Sequence, residues 1–242
     1  MATVRTDPIT ERLRPLHGGR ILDVATGFGG FLKLLTESFA DFTEAVGIDF
    51  SRRITEAAKK KSDPRLNYRE MDAEKIEYDD GYFDTVAIRN SLHHLTHIEP
   101  VLAEMKRVLR PRGLMLIGEV FQDPATERSN SQRHLHHWWA EADQALGFPH
   151  YATFTREQIA AIVHGLGLKI EEQYDWFEES TEAEMKEGLD FMLNHTREMI
   201  AKLEADGDHR ELIGRGRELI DRFGRAGFVD EGMVYVLARK PG

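Results

Sequence analysis

Strand-like and helix-like segments alternate through the first two thirds of this 242-residue chain. That alternation predicts a doubly wound α/β fold, with helices on both faces of a mostly parallel sheet. A glycine loop joins the first strand candidate to a helix at Ile21-Leu22-Asp23-Val24-Ala25-Thr26-Gly27-Phe28-Gly29-Gly30. An acidic residue then closes each of the next two strand candidates, Asp49 after Ala45-Val46-Gly47-Ile48 and Asp72 after Leu66 to Met71. Together these observations set the fold class and place a ligand site along one edge of the sheet.

Seven strands are expected, at 20–24, 44–48, 66–70, 83–88, 113–119, 168–175 and 233–239, as short apolar runs bounded by turn residues. Helices are expected at 8–16, 30–39, 51–61, 97–109 and 155–166. The last of these has a strong entry signal, with Thr155 placed to cap it and Glu157 and Gln158 in its first turn. Helix 97–109 is expected to stop before Arg110-Pro111-Arg112-Gly113. Two stretches break the alternation. Residues 121–153 are rich in His and Trp, and residues 177–230 read as two helices with Met185, Leu189, Met192, Leu193, Met199 and Ile200 at helical spacing on the first. We read residues 1–242 as a single domain carrying these two helical insertions.

Composition narrows the function. With 41% hydrophobic and 31% charged residues the chain reads as a soluble globular protein, and no apolar run is long enough to span a bilayer. The stretch Met1 to Pro8 has no apolar core, so a cytoplasmic protein is expected. A net charge of −10 repels phosphate backbones, so no nucleic-acid partner is expected. Arg52, Arg53, Lys59, Lys60 and Lys61 cluster, and read as the solvated face of one helix. The absence of cysteine removes disulfides, thiolate metal sites and thiol nucleophiles.

The glycine loop brings backbone close to a ligand, and the helix behind it presents free N–H groups and a positive dipole end. A carboxylate such as Asp49 can accept hydrogen bonds from both ribose hydroxyls. Asp72, one strand on, can accept from an adenine amino group. The set suits an adenosine with a small polar tail better than a dinucleotide.

At this point the residues resemble the class I S-adenosylmethionine-dependent methyltransferases. Asp23-Val24-Ala25-Thr26-Gly27-Phe28-Gly29 is similar to the family's first motif, and Asp49 and Asp72-Ala73 fall where its ribose and adenine contacts stand. Asp79 to Asp84, Ser91-Leu92-His93-His94-Leu95 and Arg107 to Gly113 continue the series, over residues 18–120. The subgroup it resembles contains ubiquinone/menaquinone C-methyltransferases and other small-molecule enzymes. Two departures stand out: Ala25 replaces the first loop glycine, and the 177–230 insertion is foreign to a minimal quinone methyltransferase.

The resemblance implies a Rossmann-like seven-stranded sheet with an antiparallel last strand. It implies transfer of a methyl group from S-adenosylmethionine to a small-molecule acceptor by in-line displacement, leaving S-adenosylhomocysteine. Asp23, Ala25, Thr26, Gly27 and Gly29 are then expected around the methionine portion, and Asp49 at the ribose. Phe50, Asp72 and Ala73 are expected at the adenine, with backbone contacts from Arg89 and Asn90. His93 and His94 are expected to face the acceptor, where a neutral imidazole takes a proton as the methyl arrives. His134, His137 and Trp138, from the run Arg133 to Trp139, are expected to wall the acceptor site. No metal is expected, because the spacing of that run and His150 matches no metal-site pattern. The 177–230 helices are expected to form a lid or a homodimer interface. Three alternatives stand beside this reading. An RNA or protein methyltransferase is disfavoured by the acidity and by Arg89-Asn90-Ser91-Leu92 in place of an Asn/Asp-Pro-Pro-aromatic run. A nicotinamide dehydrogenase is disfavoured by the loop, which lacks the three-glycine dinucleotide spacing. The third is a non-catalytic cofactor-binding protein.

Overall fold

The computed structural model describes residues 7–61, 63, 65–123, 126–177, 180–229 and 232–242. The segment read above for the lack of an apolar leader lies mostly outside them. Helix α1 (Pro8–Leu13) is followed by β1 (Arg20–Val24), α2 (Gly30–Ser38), β2 (Glu44–Asp49), α3 (Arg52–Lys61) and β3 (Leu66–Glu70). Then come β4 (Phe83–Arg89), a 3₁₀ turn at Leu92–His94, α4 (Ile98–Val108) and β5 (Leu109–Phe121). The chain continues with α5 (Glu127–Ala145), α6 (Arg156–Gly165), β6 (Lys169–Phe177), α7 (Glu182–Asp206), α8 (Arg210–Ala226) and β7 (Gly232–Arg239).

The strands form one sheet in the order β3-β2-β1-β4-β5-β7-β6. Neighbours are parallel except β7, which runs antiparallel to both β5 and β6. The chain winds outward from β1 through β2 to β3, then returns to place β4 on the other side of β1. That reversal opens a crevice at the carboxyl ends of β1 and β4, where ligands of open α/β sheets bind. Central strands are buried along almost their whole length, as both faces are covered. The edge strand β6 alternates between exposed and half-buried residues instead.

Two apolar layers hold the sheet. On one face Leu102 and Met105 of α4 and Ile159 and Val163 of α6 pack with Val24, Ile48, Ile88 and Ile117. On the other, Ile9 and Leu13 of α1 and Leu32 and Leu35 of α2 pack with Ile21, Ala45, Leu116 and Tyr235. The two insertions share a third core: Leu135 and Trp138 of α5, Met199 and Leu203 of α7, and Ile213 and Phe223 of α8. They therefore fold as one three-helix body.

The boundary between α4 and β5 differs from expectation. Helix α4 ends at Val108 as a stop before Arg110-Pro111 requires, yet β5 already begins at Leu109. The Arg110–Gly113 segment is an irregularity inside the strand, with a register shift against β4 and Arg112 at φ +61°. Its backbone is satisfied from the chain end: Arg112 N–H donates to the Lys240 carbonyl at 2.9 Å. Local turn signals could not reveal a partner 128 residues away.

Candidate active site

The crevice is a cleft of about 750 Å³. Ala25, Gly27, Asp49, Phe50, Asp72 and Ala73 all line it, so six of the predicted cofactor residues come together from three strand ends. The loop after β1 is bent out of ordinary backbone space. Ala25 has φ +53°, Gly27 +55° and Gly29 +81°. Ala25 bears a Cβ in a region that L-residues avoid at about 1–2 kcal/mol. It is held there from both sides: Thr26 N–H donates to the Ile48 carbonyl at 2.9 Å, and the Ser91 hydroxyl lies 3.5 Å from the Ala25 carbonyl. A side chain at Gly29 would overlap the hydroxyl of buried Tyr68.

Asp49 fastens the rim. Its two carboxylate oxygens accept from Gly27 N–H at 3.1 Å and Ser51 N–H at 3.0 Å. Each oxygen keeps a second lone pair for a ligand. Asp72 is exposed on the cleft wall and accepts from Glu74 N–H at 2.8 Å. Phe50 and Phe148 stand at the cleft with 73% and 61% of their surface in solvent, an unusual cost for two phenyl rings unless something covers them.

Five predicted cofactor residues lie elsewhere. Asp23 and Thr26 are buried behind the loop, where the Thr26 hydroxyl donates to Asp23 at 2.6 Å. Burial pushes the Asp23 carboxyl up to about 7, against the opposing pull of the Thr26 hydrogen bond. These two residues, with Gly29, shape the loop and do not line the cleft. Arg89 and Asn90 do not line it either. The Arg89 guanidinium turns to Asp7 at 3.3 Å and lies between the Phe31 and Tyr235 rings. Asn90, at φ +50°, donates its N–H to Gly118.

The two histidines divide. His94 lines the cleft. Burial, and then the neighbouring imidazoles, hold it neutral and draw its pKa down to about 3, which poorly suits proton abstraction near neutral pH. His93 is buried away from the cleft, with Nδ1 3.0 Å from Glu119 Oε1. Glu119, also fully buried, accepts from Leu92 N–H at 2.7 Å and Val120 N–H at 2.8 Å.

The three residues expected in the acceptor wall have other partners in the structure. Trp138 is a core residue of the three-helix body, 1% exposed, donating Nε1–H to the Leu212 carbonyl at 2.8 Å. His134 faces Arg222 at 3.3 Å, and His137 pairs with the Thr153 hydroxyl at 3.1 Å. Asp143 of α5 lines the cleft, and Gln132, His136 and Trp139 of the same helix line a second cavity. That cavity, about 590 Å³, is completed by Arg89, Val120, Trp176 and Met233 from the sheet and by Gly188, Phe191 and Met192 of α7. A run with aromatic or histidine side chains on every side of a helix carries no phase information.

The same phase gathers histidines that the sequence kept apart. His136 Nε2 lies 3.2 Å from His150 Nε2, and His150 Nδ1 lies 2.7 Å from Asp143 Oδ2. The His93, His136 and His150 rings surround one point, with centroids 5.3, 5.4 and 5.6 Å apart. His94 packs against two of them.

This architecture has known counterparts. Residues 22–117 match the family described as a methyltransferase domain. Over that segment the chain resembles the class I S-adenosylmethionine-dependent methyltransferases. A ubiquinone/menaquinone biosynthesis C-methyltransferase of Stutzerimonas stutzeri is 33% identical over 116 residues, 46% of this chain and 45% of that protein. The corresponding enzyme of Geotalea uraniireducens is 27% identical over 189 residues, 68% of this chain and 77% of its own. The alignment thus spans less than half the length of the first of these relatives. A putative methyltransferase of Bacillus halodurans shares the fold across 97% of this chain and 98% of its own, with a TM-score of 0.66 at 18% identity. The matched segment ends before α5, so the sequence from Glu127 to Ala226, including the whole three-helix body, lies outside it, as does β7 of the same sheet. No helix among the described residues is long and apolar enough to cross a membrane.

Proposed function

We propose that this protein transfers a methyl group from S-adenosylmethionine to a small-molecule acceptor in the cytoplasm. The observation that carries this reading is the convergence of Gly27, Asp49 and Asp72 on one cleft at the β1–β4 switch. The residues fit the cofactor chemically. Asp49 has free lone pairs for two ribose hydroxyls, Asp72 and the Ala73 backbone offer the wall beside it, and the exposed ring of Phe50 offers a stacking face for adenine. The cofactor supplies an already activated methyl on a sulfonium centre. The protein's part is to orient the acceptor and exclude water.

The second cavity supports a small acceptor. Its volume of about 590 Å³ lies within the usual range for small-molecule sites, roughly 300–1,000 Å³. Trp139, Trp176, Phe191, Met192 and Met233 give it an apolar, aromatic lining. Glu184 and Glu187 beside it, and the net charge of −10, oppose a polyanionic substrate. His94 borders the cofactor cleft and His136 borders this cavity, so the histidine group stands between the two.

Calorimetry with S-adenosylhomocysteine on Asp49→Ala tests the cofactor site. Loss of two charge-assisted hydrogen bonds, each about 1.5–3 kcal/mol, weakens binding at least about a hundredfold. Unchanged affinity would refute the placement of the ribose. Methyl-labelled cofactor incubated with a cell extract tests the acceptor: label in the small-molecule pool is expected, and label in RNA or protein instead would overturn the substrate class.

A further inference from the structure

We propose that His93, His136 and His150 form a three-histidine site for a divalent transition-metal ion of the zinc class. The proposal does not depend on methyl transfer. One ligand nitrogen from each ring falls within 4.8 Å of the other two, although the residues come from three separate segments: the turn after β4, the middle of α5 and the loop after α5. A single N–H···N hydrogen bond accounts for the His136–His150 contact. It does not account for a third ring held at nearly the same distance from both.

The surroundings fix the tautomers. Asp143 takes the Nδ1 side of His150 and buried Glu119 takes the Nδ1 side of His93. A proton on each Nδ1 leaves Nε2 of both rings as a bare lone pair directed away from the carboxylates. This carboxylate–histidine arrangement is the one that orients metal-bound imidazoles and raises their basicity. His136 turns Nδ1 to the Gln122 amide at 3.4 Å, a group that can present either a donor or an acceptor. All three rings are at least nine-tenths buried. Imidazole nitrogens suit zinc, copper, iron and nickel. Three protein ligands leave one tetrahedral position open, as in sites that bind water or a substrate oxygen. His136 also borders the aromatic cavity, so that position is near the space assigned to the acceptor.

The test uses the full chain without a histidine tag, stripped with chelator and titrated with Co²⁺ and Zn²⁺. One equivalent of Co²⁺ is expected to bind with the visible absorption of a tetrahedral nitrogen site, and Zn²⁺ is expected to displace it. His136→Ala and His150→Ala are each expected to weaken binding at least about a hundredfold, and Glu119→Gln by roughly 10–100-fold. His164→Ala, on the exposed side of α6, is expected to bind as wild type does. Circular dichroism of the variants establishes that they fold. Absence of the visible band in the wild type overturns the proposal whatever the variants do. So does binding that survives both His136→Ala and His150→Ala.

Discussion

Asp23 is the clearest electrostatic lever in the molecule. Its side chain is 1% exposed and its pKa stands near 7, against an ordinary value of 3.8, because burial penalises the charged form. The folded state therefore binds the proton more tightly than the unfolded chain does. That stability is fully present below pH 3.8 and is lost as pH rises towards 7. Between pH 5 and pH 8 the linkage relation with these two pKa values removes roughly 2–3 kcal/mol. Asp23→Asn keeps the shape and an oxygen to accept from Thr26, and removes the titration. Urea denaturation of both proteins at pH 5 and pH 8 isolates the effect, because all other groups cancel in the difference. Relative to wild type, the Asn variant is expected to gain roughly 2–3 kcal/mol on going from pH 5 to pH 8. Parallel stability–pH curves for the two proteins would show that Asp23 is ionised in the fold at pH 5 and refute the argument.

Two further substitutions probe the loop and the three-helix body. Gly29→Ala meets a positive φ and the Tyr68 hydroxyl together; a cost of at least about 2 kcal/mol lowers Tm by at least about 4 °C in a chain of this size. A smaller drop would mean that Tyr68 yields freely. Gly27→Ala has the same φ problem but open space around the added carbon, so it is expected to spare stability relative to Gly29→Ala and to weaken S-adenosylhomocysteine binding. Trp138→Phe removes the donor to the Leu212 carbonyl and part of the packing against Gly216. About 2 kcal/mol of destabilisation is expected, with cofactor affinity unchanged in calorimetry. A loss of affinity without a loss of stability would return Trp138 to a ligand-binding role.

The sheet was legible because its signals are local: each strand is an apolar run ended by a turn, and each acid at a strand end needs no distant partner to be recognised. Asp49, Asp72 and Gly27 stand out this way, and all three line one cleft. Asp23 and Thr26 were also singled out, but a motif does not say which side of a loop a side chain takes. The misses share one cause. Arg89 is turned by Asp7, 82 positions away, Glu119 reaches His93 across two strand ends, and Phe148 reaches the cleft from beyond α5. On α5 the histidine-rich run is visible, but the choice between His134, His137 and Trp138 on one side and His136 and Trp139 on the other depends on α7 and α8. Those helices claim Trp138 for their core and leave His136 facing the sheet edge.

The histidine group also bears on how the two halves move. The loop carrying His150 is tied to the turn after β4 by Tyr151 N–H donating to the His93 carbonyl at 2.7 Å, and Gln144 donates to the His150 carbonyl at 2.6 Å. Asp143 of α5 holds the far side of His150. Helix α5 is thus linked to the sheet edge by a chain of directional bonds, which a swinging lid would have to break together. A fixed wall fits this part of the structure better. The opposite wall is different in kind: Gly188, Phe191 and Met192 of α7 meet the cavity through apolar contact, and Phe191 is 67% exposed. Apolar side chains repack at less cost than a bonded polar network, above all where Met is present. Variation in the acceptor is therefore expected to be accommodated through α7. Phe191→Ala is expected to change the acceptor's KM while leaving S-adenosylhomocysteine affinity as it was, and equal effects on both would place α7 over the cofactor cleft instead.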